Sequence, residues 1–370
     1  MIGPVEVGPI AHGGHCVARH DGRVIFVRHA LPGERVMIEI TDDSHSRFWR
    51  GDAVQVLDAS PDRVSPPCPI AGPGLCGGCD FQHVDLPAQR RLKTSVVAEQ
   101  LSRLAGIEWA GEVAAISSPG TEDGLAWRTR MRYARDEQGR TGLRAHRSRR
   151  VIALPRGGCR IAAPGALDGS EGNVTEFAAG RRWAVAAEGF WQVHPAAAEV
   201  LAAAVVDGLQ PRPGERALDL YCGVGLFAGV LADAGCQVWG LESNHNAVRH
   251  ARANLADVAD RVTVMAGRVE HGAGRLPRPA DLVVLDPPRT GAGGAVMQAV
   301  LERSPRAIAY VACDPAALAR DLAAAGTAGY HPRRITAYDL FPMTHHVECV
   351  AILVPAGEGL AERRAADPGR

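Results

Sequence analysis

Apolar and polar positions follow three different rhythms along this chain. Through residues 1–60 they alternate, in "RVIFVR" (23–28), "RVMIEIT" (35–41) and "DAVQVLD" (52–58). Period-two alternation predicts strands buried on one face, and Asp21-Gly22 is a hairpin turn signal. Several short strands at this spacing predict a small β-barrel. The polar, proline-rich "SPDRVSPPCP" (60–69) marks a boundary. Residues 61–185 are mixed: a cysteine-rich loop, a helix over "LPAQRRLKTSVVAEQLSRLAG" (86–106), and a basic strand pair around 127–160 that turns at "DEQGRTG" (136–142).

From about residue 186 the rhythm changes again. "RALDLY" (216–221), "QVWGLE" (237–242), "RVTVMA" (261–266), "DLVVLD" (281–286) and "AIAYVAC" (307–313) are nearly continuous apolar runs separated by alanine-rich helical stretches. Such strands belong to a parallel sheet covered by helices on both faces, an α/β architecture. The expected domains are therefore a barrel at 1–60, a central α+β region at 61–185 and an α/β domain at 186–355. The polar, Gly/Pro-bearing tail 356–370 is expected to be disordered. A length of 370 residues agrees with several cores rather than one.

Composition narrows the function classes. Basic and acidic residues balance at 41 each, which argues against a passive coat for nucleic acid but not against a local basic groove. The basic side is almost all arginine, with Lys93 the only lysine. No apolar run is long enough to span a membrane and no signal pattern opens the chain, so a cytoplasmic protein is expected. Nine cysteines, an odd number, do not suit a disulfide framework. Their roles are then metal ligation, nucleophilic catalysis or burial.

The strand–turn–helix "ALDLYCGVGLFAGVLA" (217–232) is a nucleotide-binding signal. Gly223 and Gly225 let the backbone turn sharply and approach a ligand. Glu242, nineteen residues after Gly223, ends the next strand, where a carboxylate can accept both hydroxyls of a ribose. That spacing also suits NAD, but the third glycine, Gly229, comes one position later than the dinucleotide fingerprint requires. S-adenosylmethionine, which has no pyrophosphate, fits better.

Three further segments fall where a doubly wound sheet builds its site. "DPPRTGAG" (286–293) uses two prolines to fix Asp286 and Arg289, and "YVACDP" (310–315) carries Cys313 at a strand tip. "FPMTHHVECVAIL" (341–353) opens an apolar strand at Glu348. A cysteine at such a tip can be a nucleophile, although a lone strand cysteine is more commonly core. His345 and His346 lack a third ligand of suitable spacing, which argues against zinc there.

In the order "LDLYCGVG", "DPPRTGAG", "YVACDPAALARDL" and "FPMTHHVE", with "FWQVHP" (190–195) ahead of them, these segments resemble the RNA uracil-C5 methyltransferase family, which modifies tRNA and 23S ribosomal RNA. The resemblance covers essentially the whole chain. It implies a Rossmann-like class I methyltransferase domain, an N-terminal OB-like TRAM barrel that binds RNA, and a small central domain carrying a metal cluster. It implies Cys313 as nucleophile at carbon 6 of uracil and Glu348 as the base that removes the carbon 5 proton. Gln192, Tyr221, Glu242 and Asp286 would contact S-adenosylmethionine or the inserted base. Two positions depart from the pattern: His194 stands where the family commonly has Asn, and Arg268 where an acidic residue often faces the adenine.

"CPIAGPGLCGGCDFQH" (68–83) holds Cys68, Cys76 and Cys79, a moderately specific metal signature whose fourth ligand would be Cys159. All-thiolate ligation suits a [4Fe-4S] cluster or zinc, and the resemblance implies iron–sulfur. Cys16, Cys222, Cys236 and Cys349 are expected to be inert. RNA contact is expected at Arg47, Phe48, Trp49 and Arg50, and along the arginines at 128, 130, 132, 135, 140, 144, 147, 149 and 150. The sequence leaves rRNA and tRNA open, with 23S rRNA favoured, and points to no membrane and no obligate protein partner. The rival readings are a methyltransferase acting on cytosine or a small molecule, and a non-catalytic RNA-binding iron–sulfur protein.

Overall fold

The computed structural model describes residues 1–169 and 172–357, so the expected tail lies, from residue 358 onward, outside the described residues. Contacts divide the chain into two units, each assembled from separated segments. One comprises Met1–Val97, Glu112–Gly169 and Asp339–Val347; the other comprises Ala98–Gly111, Ser170–Tyr338 and Glu348–Arg370.

The first unit begins with β1 (Ile2–Ala11), β2 (His15–His20), β3 (Arg23–Arg28), β4 (Arg35–Asp42) and β5 (Phe48–Asp58), which close into a barrel in the order β1-β2-β3-β5-β4. Val5, Val7, Cys16, Ala18, Ile25, Val27, Val36 and Ile38 alternate into its interior, and burying each Val or Ile contributes roughly 1.5–3 kcal/mol. The β2–β3 turn is Asp21-Gly22, both at positive φ, as a tight hairpin requires. The core continues through Phe81 and Val84 onto Ala88, Leu92 and Val96 of α1 (Leu86–Ala105). Lys93 on this helix is buried against Asp339, Nζ to Oδ1 2.6 Å, and also donates to the Phe341 carbonyl.

After the short β6 (Val113–Ala115) come β7 (Arg128–Arg130), β8 (Ala134–Arg135), β9 (Thr141–Arg144), β10 (Val151–Ala153) and β11 (Ala162–Leu167). The expected basic strand pair around 127–160 is broken. β8 and β9 form the hairpin, β9 pairs onward with β10, and β7 pairs in parallel with β11 instead. The break falls at Met131, which is buried and whose N–H donates to the Leu167 carbonyl. Alternation therefore does not carry one arginine face through the segment.

The second unit contains β12 (Asn173–Ala178), β13 (Arg181–Ala186), α2 (Ala197–Leu209), β14 (Arg216–Leu220), α3 (Leu226–Asp233), β15 (Gln237–Glu242), α4 (His245–Asn254), β16 (Val262–Ala266), α5 (Val269–Gly272), β17 (Leu282–Leu285), α6 (Gly294–Leu301), β18 (Ala307–Ala312), α7 (Pro315–Thr327), β19 (Tyr330–Asp339) and β20 (Glu348–Pro355). Its sheet runs β16-β15-β14-β17-β18-β20-β19. The first five strands are parallel, and β20 is antiparallel to both neighbours. The strand order reverses between β14 and β17, the position at which open α/β sheets bind ligands outside their carboxyl ends. Because β20 runs the other way, its first residue lies at that same edge.

Candidate active site

The turn after β14 is built for close approach. Tyr221, Gly223 and Gly225 all have positive φ, and Tyr221 and Cys222 both donate their N–H to the Leu241 carbonyl. A Cβ on Gly225 would lie 2.7 Å from Leu255 Cδ1, whereas one on Gly223 would meet nothing within 4 Å. The loop is thus packed behind and open in front. Glu242, at the end of β15, accepts from the Gly223 N–H at 3.0 Å and the Asn244 N–H at 2.6 Å, which holds its carboxylate beside the glycine turn.

Acidic groups crowd the same edge. Asp219 is fully buried; one oxygen accepts from the Ala228 N–H at 2.8 Å and the other, Oδ1, has no partner among the described residues. Burial, reinforced by the charges of Asp286 and Glu242, pushes its carboxyl up to about 8. Asp286 follows β17, and desolvation pushes its carboxyl up to about 7.

Cys313 follows β18 directly and stays partly accessible. The β18–β20 register pairs Ala312 with Cys349, so one further step sets Cys313 opposite Glu348. Directly opposed positions in an antiparallel pair have Cβ atoms about 4.5–5.5 Å apart. Glu348 is buried, with its carboxyl pushed well above the usual range by desolvation and then by the Asp286 charge, which Arg289 opposes. The Cys313 thiol is pushed up to about 12 by desolvation, with Glu348 and Asp286 adding and Arg289 opposing. A thiol, two carboxyls and one cation therefore share the end of this sheet.

The remaining expected positions take less central places. Gln192 is half-buried in the loop ahead of α2, beside the buried Trp191. His194 is buried and accepts from the Ala196 N–H through Nδ1. Arg268 is exposed and sits 3.7 Å from Glu270. In the first unit, His345 is held by Asp80, Nδ1 to Oδ2 2.6 Å, and its ring lies 4.1 Å from that of His346. Sequence reasoning overlooked Asp219, and it overlooked Asp321 on α7, whose carboxylate accepts from the Ala292 and Gly293 N–H groups. Both looked like ordinary strand and helix acids; only the "LDLY" and "ARDL" contexts could have drawn notice.

Within the first unit, Cys68, Cys76, Cys79 and Cys159 line one cavity of about 90 Å³ together with Ile70, Met131, Leu143, Ile161, Arg128 and Arg132. None of the four is paired in a disulfide. The Cys76 Sγ accepts from the Gly78 N–H at 3.4 Å, and the Cys79 Sγ from Gln82 Nε2 at 3.3 Å. Desolvation raises both thiols, Cys79 to about 12, and the neighbouring Cys159 raises them further. Among the described residues no three His, Cys, Asp or Glu side chains are gathered to hold a single metal ion. On the barrel, the Arg23 guanidinium lies 4.1 Å from the Trp49 ring and that of Arg50 4.7 Å from Phe48, with His45 stacked on Phe48.

Known families match in three places: TRAM domain over residues 3–54, Methyltransferase small domain over 197–310, and tRNA (Uracil-5-)-methyltransferase over 279–355. An RNA methyltransferase of Streptomyces avermitilis is 47% identical over 437 residues, covering 96% of this chain and 99% of its own. The chain belongs to the RNA uracil-C5 methyltransferase family.

This methyltransferase is also 28% identical to the 23S rRNA (uracil(1939)-C(5))-methyltransferase of Shewanella halifaxensis, over 94% of each chain. The tRNA (uracil-54, C5)-methyltransferase of Pyrococcus abyssi shares its fold at a TM-score of 0.70 and 21% identity, covering 95% of this chain and 99% of that one. The barrel of the methyltransferase is therefore its TRAM domain, and the sheet of the second unit is a class I methyltransferase fold. No helix among the described residues is long and apolar enough to cross a membrane.

Proposed function

We propose that the enzyme transfers the methyl group of S-adenosylmethionine to carbon 5 of a specific uridine in structured RNA, 23S rRNA rather than tRNA, through a covalent adduct with Cys313. The observation that carries this reading is the register setting Cys313 opposite Glu348 at the sheet edge where the Gly223 turn opens. The alignment with a relative named for 23S rRNA over 94% of both chains supports the choice of RNA.

The open space before Gly223, the Glu242 carboxylate beside it and the unpartnered Asp219 oxygen fit a cationic nucleoside. Gly223 and Gly225 would pass its backbone side, Glu242 its ribose hydroxyls, and Gln192, Tyr221 and Asp286 its methionine end or the target base. When bound, S-adenosylmethionine supplies an electrophilic methyl group. The chain's own groups do the rest. Cys313 loses its proton to Asp286 and its sulfur adds to carbon 6 of uracil, moving the ring electrons so that carbon 5 becomes nucleophilic. Once carbon 5 carries the methyl group, Glu348 takes its proton, the 5,6 double bond re-forms and the thiolate leaves. The target base must leave its stack to reach the sulfur, at a cost of a few kcal/mol.

The four-cysteine cavity is assigned a structural [4Fe-4S] cluster held by Cys68, Cys76, Cys79 and Cys159. Four cysteines lining one cavity supply an all-thiolate donor set, which suits the iron–sulfur group that the resemblance implies. Gln82 Nε2, donating to Cys79 Sγ, and the flanking Arg128 and Arg132 fit an anionic cluster. Chain purified without oxygen should hold about four irons with matching sulfide. Zinc, or loss of iron with none of the four Cys→Ser variants, would remove this assignment. RNA is expected along the TRAM face that carries Phe48 and Arg50, where His45 stacks on Phe48.

The test of the reaction is trapping with 5-fluorouridine RNA, whose carbon 5 has no proton to give up. A covalent adduct that needs S-adenosylmethionine and is absent from Cys313→Ala supports the reading. Methylation without an adduct, or of cytosine, would overturn it.

A further inference from the structure

We infer that Asp321 is the positioning residue that sets the 286–293 loop against the strand carrying Cys313, an inference that rests on the reaction proposed above. Asp321 sits on α7 and is only 5% exposed. A buried carboxylate must have its lone pairs satisfied, and here neutral donors satisfy them. The Ala292 N–H donates to Oδ2 at 2.8 Å, the Gly293 N–H reaches both oxygens at 3.2 Å, and the Tyr310 hydroxyl donates to Oδ2 at 2.5 Å. The Ala292 N–H also reaches the Tyr310 oxygen at 3.0 Å, closing the set.

These donors come from the pieces that build the reactive edge. Tyr310 stands on β18, three residues before Cys313, while Ala292 and Gly293 end the loop that Asp286 begins. Asp314, next to Cys313, caps α7 by accepting the Ala317 N–H at 2.8 Å, and the same helix returns Asp321 beneath the loop. The loop has little freedom to absorb a shift. Pro287 and Pro288 fix its first residues, and the Gly291 N–H bonds to the Pro288 carbonyl at 2.8 Å. Gly291 has a φ of +87°, and a Cβ there would lie 2.8 Å from Asp321 Oδ2. Carboxylate and loop are fitted so closely that no side chain can stand between them. Movement at Ala292 is therefore passed to Asp286 and Arg289.

Asp321→Asn keeps the side chain's shape but turns an NH₂ toward donors that need an acceptor. Adduct formation on 5-fluorouridine RNA should slow about 10²-fold, the effect of misplacing reacting groups by about an ångström. S-adenosylmethionine Kd, to which the β14 and β15 turns contribute alongside Asp286, should loosen by less than about tenfold, well short of the loss in rate. Tyr310→Phe, which removes one hydroxyl, should slow the adduct by about two- to tenfold. Amide exchange at Ala292 and Gly293 should quicken in Asp321→Asn. An adduct rate equal to wild type overturns the inference, as does a Kd that loosens in step with the rate. Should Asp321→Asn not fold, a Tyr310→Phe enzyme at the wild-type rate overturns it equally. A wild-type enzyme that forms no adduct removes the reaction instead, and unchanged exchange in Asp321→Asn then removes the anchor on its own account.

Discussion

Replacing Glu348 by Gln separates the two halves of the proposed reaction. The side chain is 3% exposed and opens β20 opposite Cys313, and the amide fills the same volume without disturbing the sheet. Loss of a positioned general base lowers turnover by about 10²–10⁴-fold. At 1.36 kcal/mol per decade that raises the barrier of the second half by about 2.7–5.5 kcal/mol. The first half is left standing. Burial and the Asp286 charge favour the neutral form of Glu348, so a neutral amide leaves the charge beside Cys313 nearly unchanged. Adduct is then made about as fast as in wild type and resolved far more slowly. Ordinary uridine RNA, with no fluorine, should accumulate as a protein–RNA species that survives denaturing electrophoresis. Digestion and mass spectrometry should find the methylated base within it. The reasoning fails if Glu348→Gln turns over within tenfold of wild type, or if it gives no more adduct than Cys313→Ala.

The other predictions concern protonation and stability. Asp286 has its carboxyl raised to about 7, and a sulfonium cation favours the ionised form. S-adenosylmethionine affinity should therefore rise with pH through neutrality and weaken below it, by no more than about tenfold per unit for one proton; calorimetric titration at pH 5.5–8.5 checks this, and a pH-independent Kd sinks it. Asp219, Glu348, Cys313 and Arg289 share that environment, so Asp286→Asn must flatten the profile for the assignment to stand. Lys93→Met leaves Asp339 buried without its cation and should cost about 3–5 kcal/mol in denaturant unfolding. Lys93→Met with Asp339→Leu should regain most of that, and a double variant no better than the single would show that the pair is not the cause.

What the sequence yielded depended on how each segment is buried. The five apolar runs from 216 to 313 became β14 to β18 with at most one residue of error at each end, because strands covered on both faces leave no alternative pattern. The barrel was read in part. Its third strand was found whole, but β1 carries Gly3, Pro4, Gly8 and Pro9, which interrupt the alternation a strand would show. In the fold these fall near register shifts of β1 against β2 and β4, where Gly8 avoids a contact of 2.8 Å with the Val17 carbonyl. The front of β5 was hidden because Phe48, Trp49 and Arg50 are only half-buried, with Trp49 packed at the edge of the barrel core and Phe48 and Arg50 on the opposite face. The arginine pattern at 127–160 misled, since charge says nothing about which partner a short strand takes. Of the candidate site, Cys313, Glu348 and the Gly223 turn were legible as strand ends. Asp321 was not, because a helix acid becomes an anchor only through a loop nearly thirty residues away.

The high Cys313 thiol is not an argument against its role; it states when that role begins. With the thiol pushed up to about 12, little thiolate exists at neutral pH. The causes of the shift are burial and the acidic side chains of Glu348, Asp286 and Asp314, with Arg289 opposing them. RNA phosphates can only add to the negative side. A positive charge must therefore enter before the sulfur becomes reactive, and the sulfonium of S-adenosylmethionine is the one reactant that carries it at the centre of the chemistry. S-adenosylhomocysteine has the same shape, fills the same turn and lacks that charge. It should bind the enzyme yet fail to promote reversible addition of Cys313 to uracil, measured as tritium exchange from carbon 5 of labelled RNA. Exchange that is equally fast with the neutral analogue, or with no nucleoside at all, would mean that the thiolate is formed by the protein unaided, and the electrostatic ordering of the reaction would have to be abandoned.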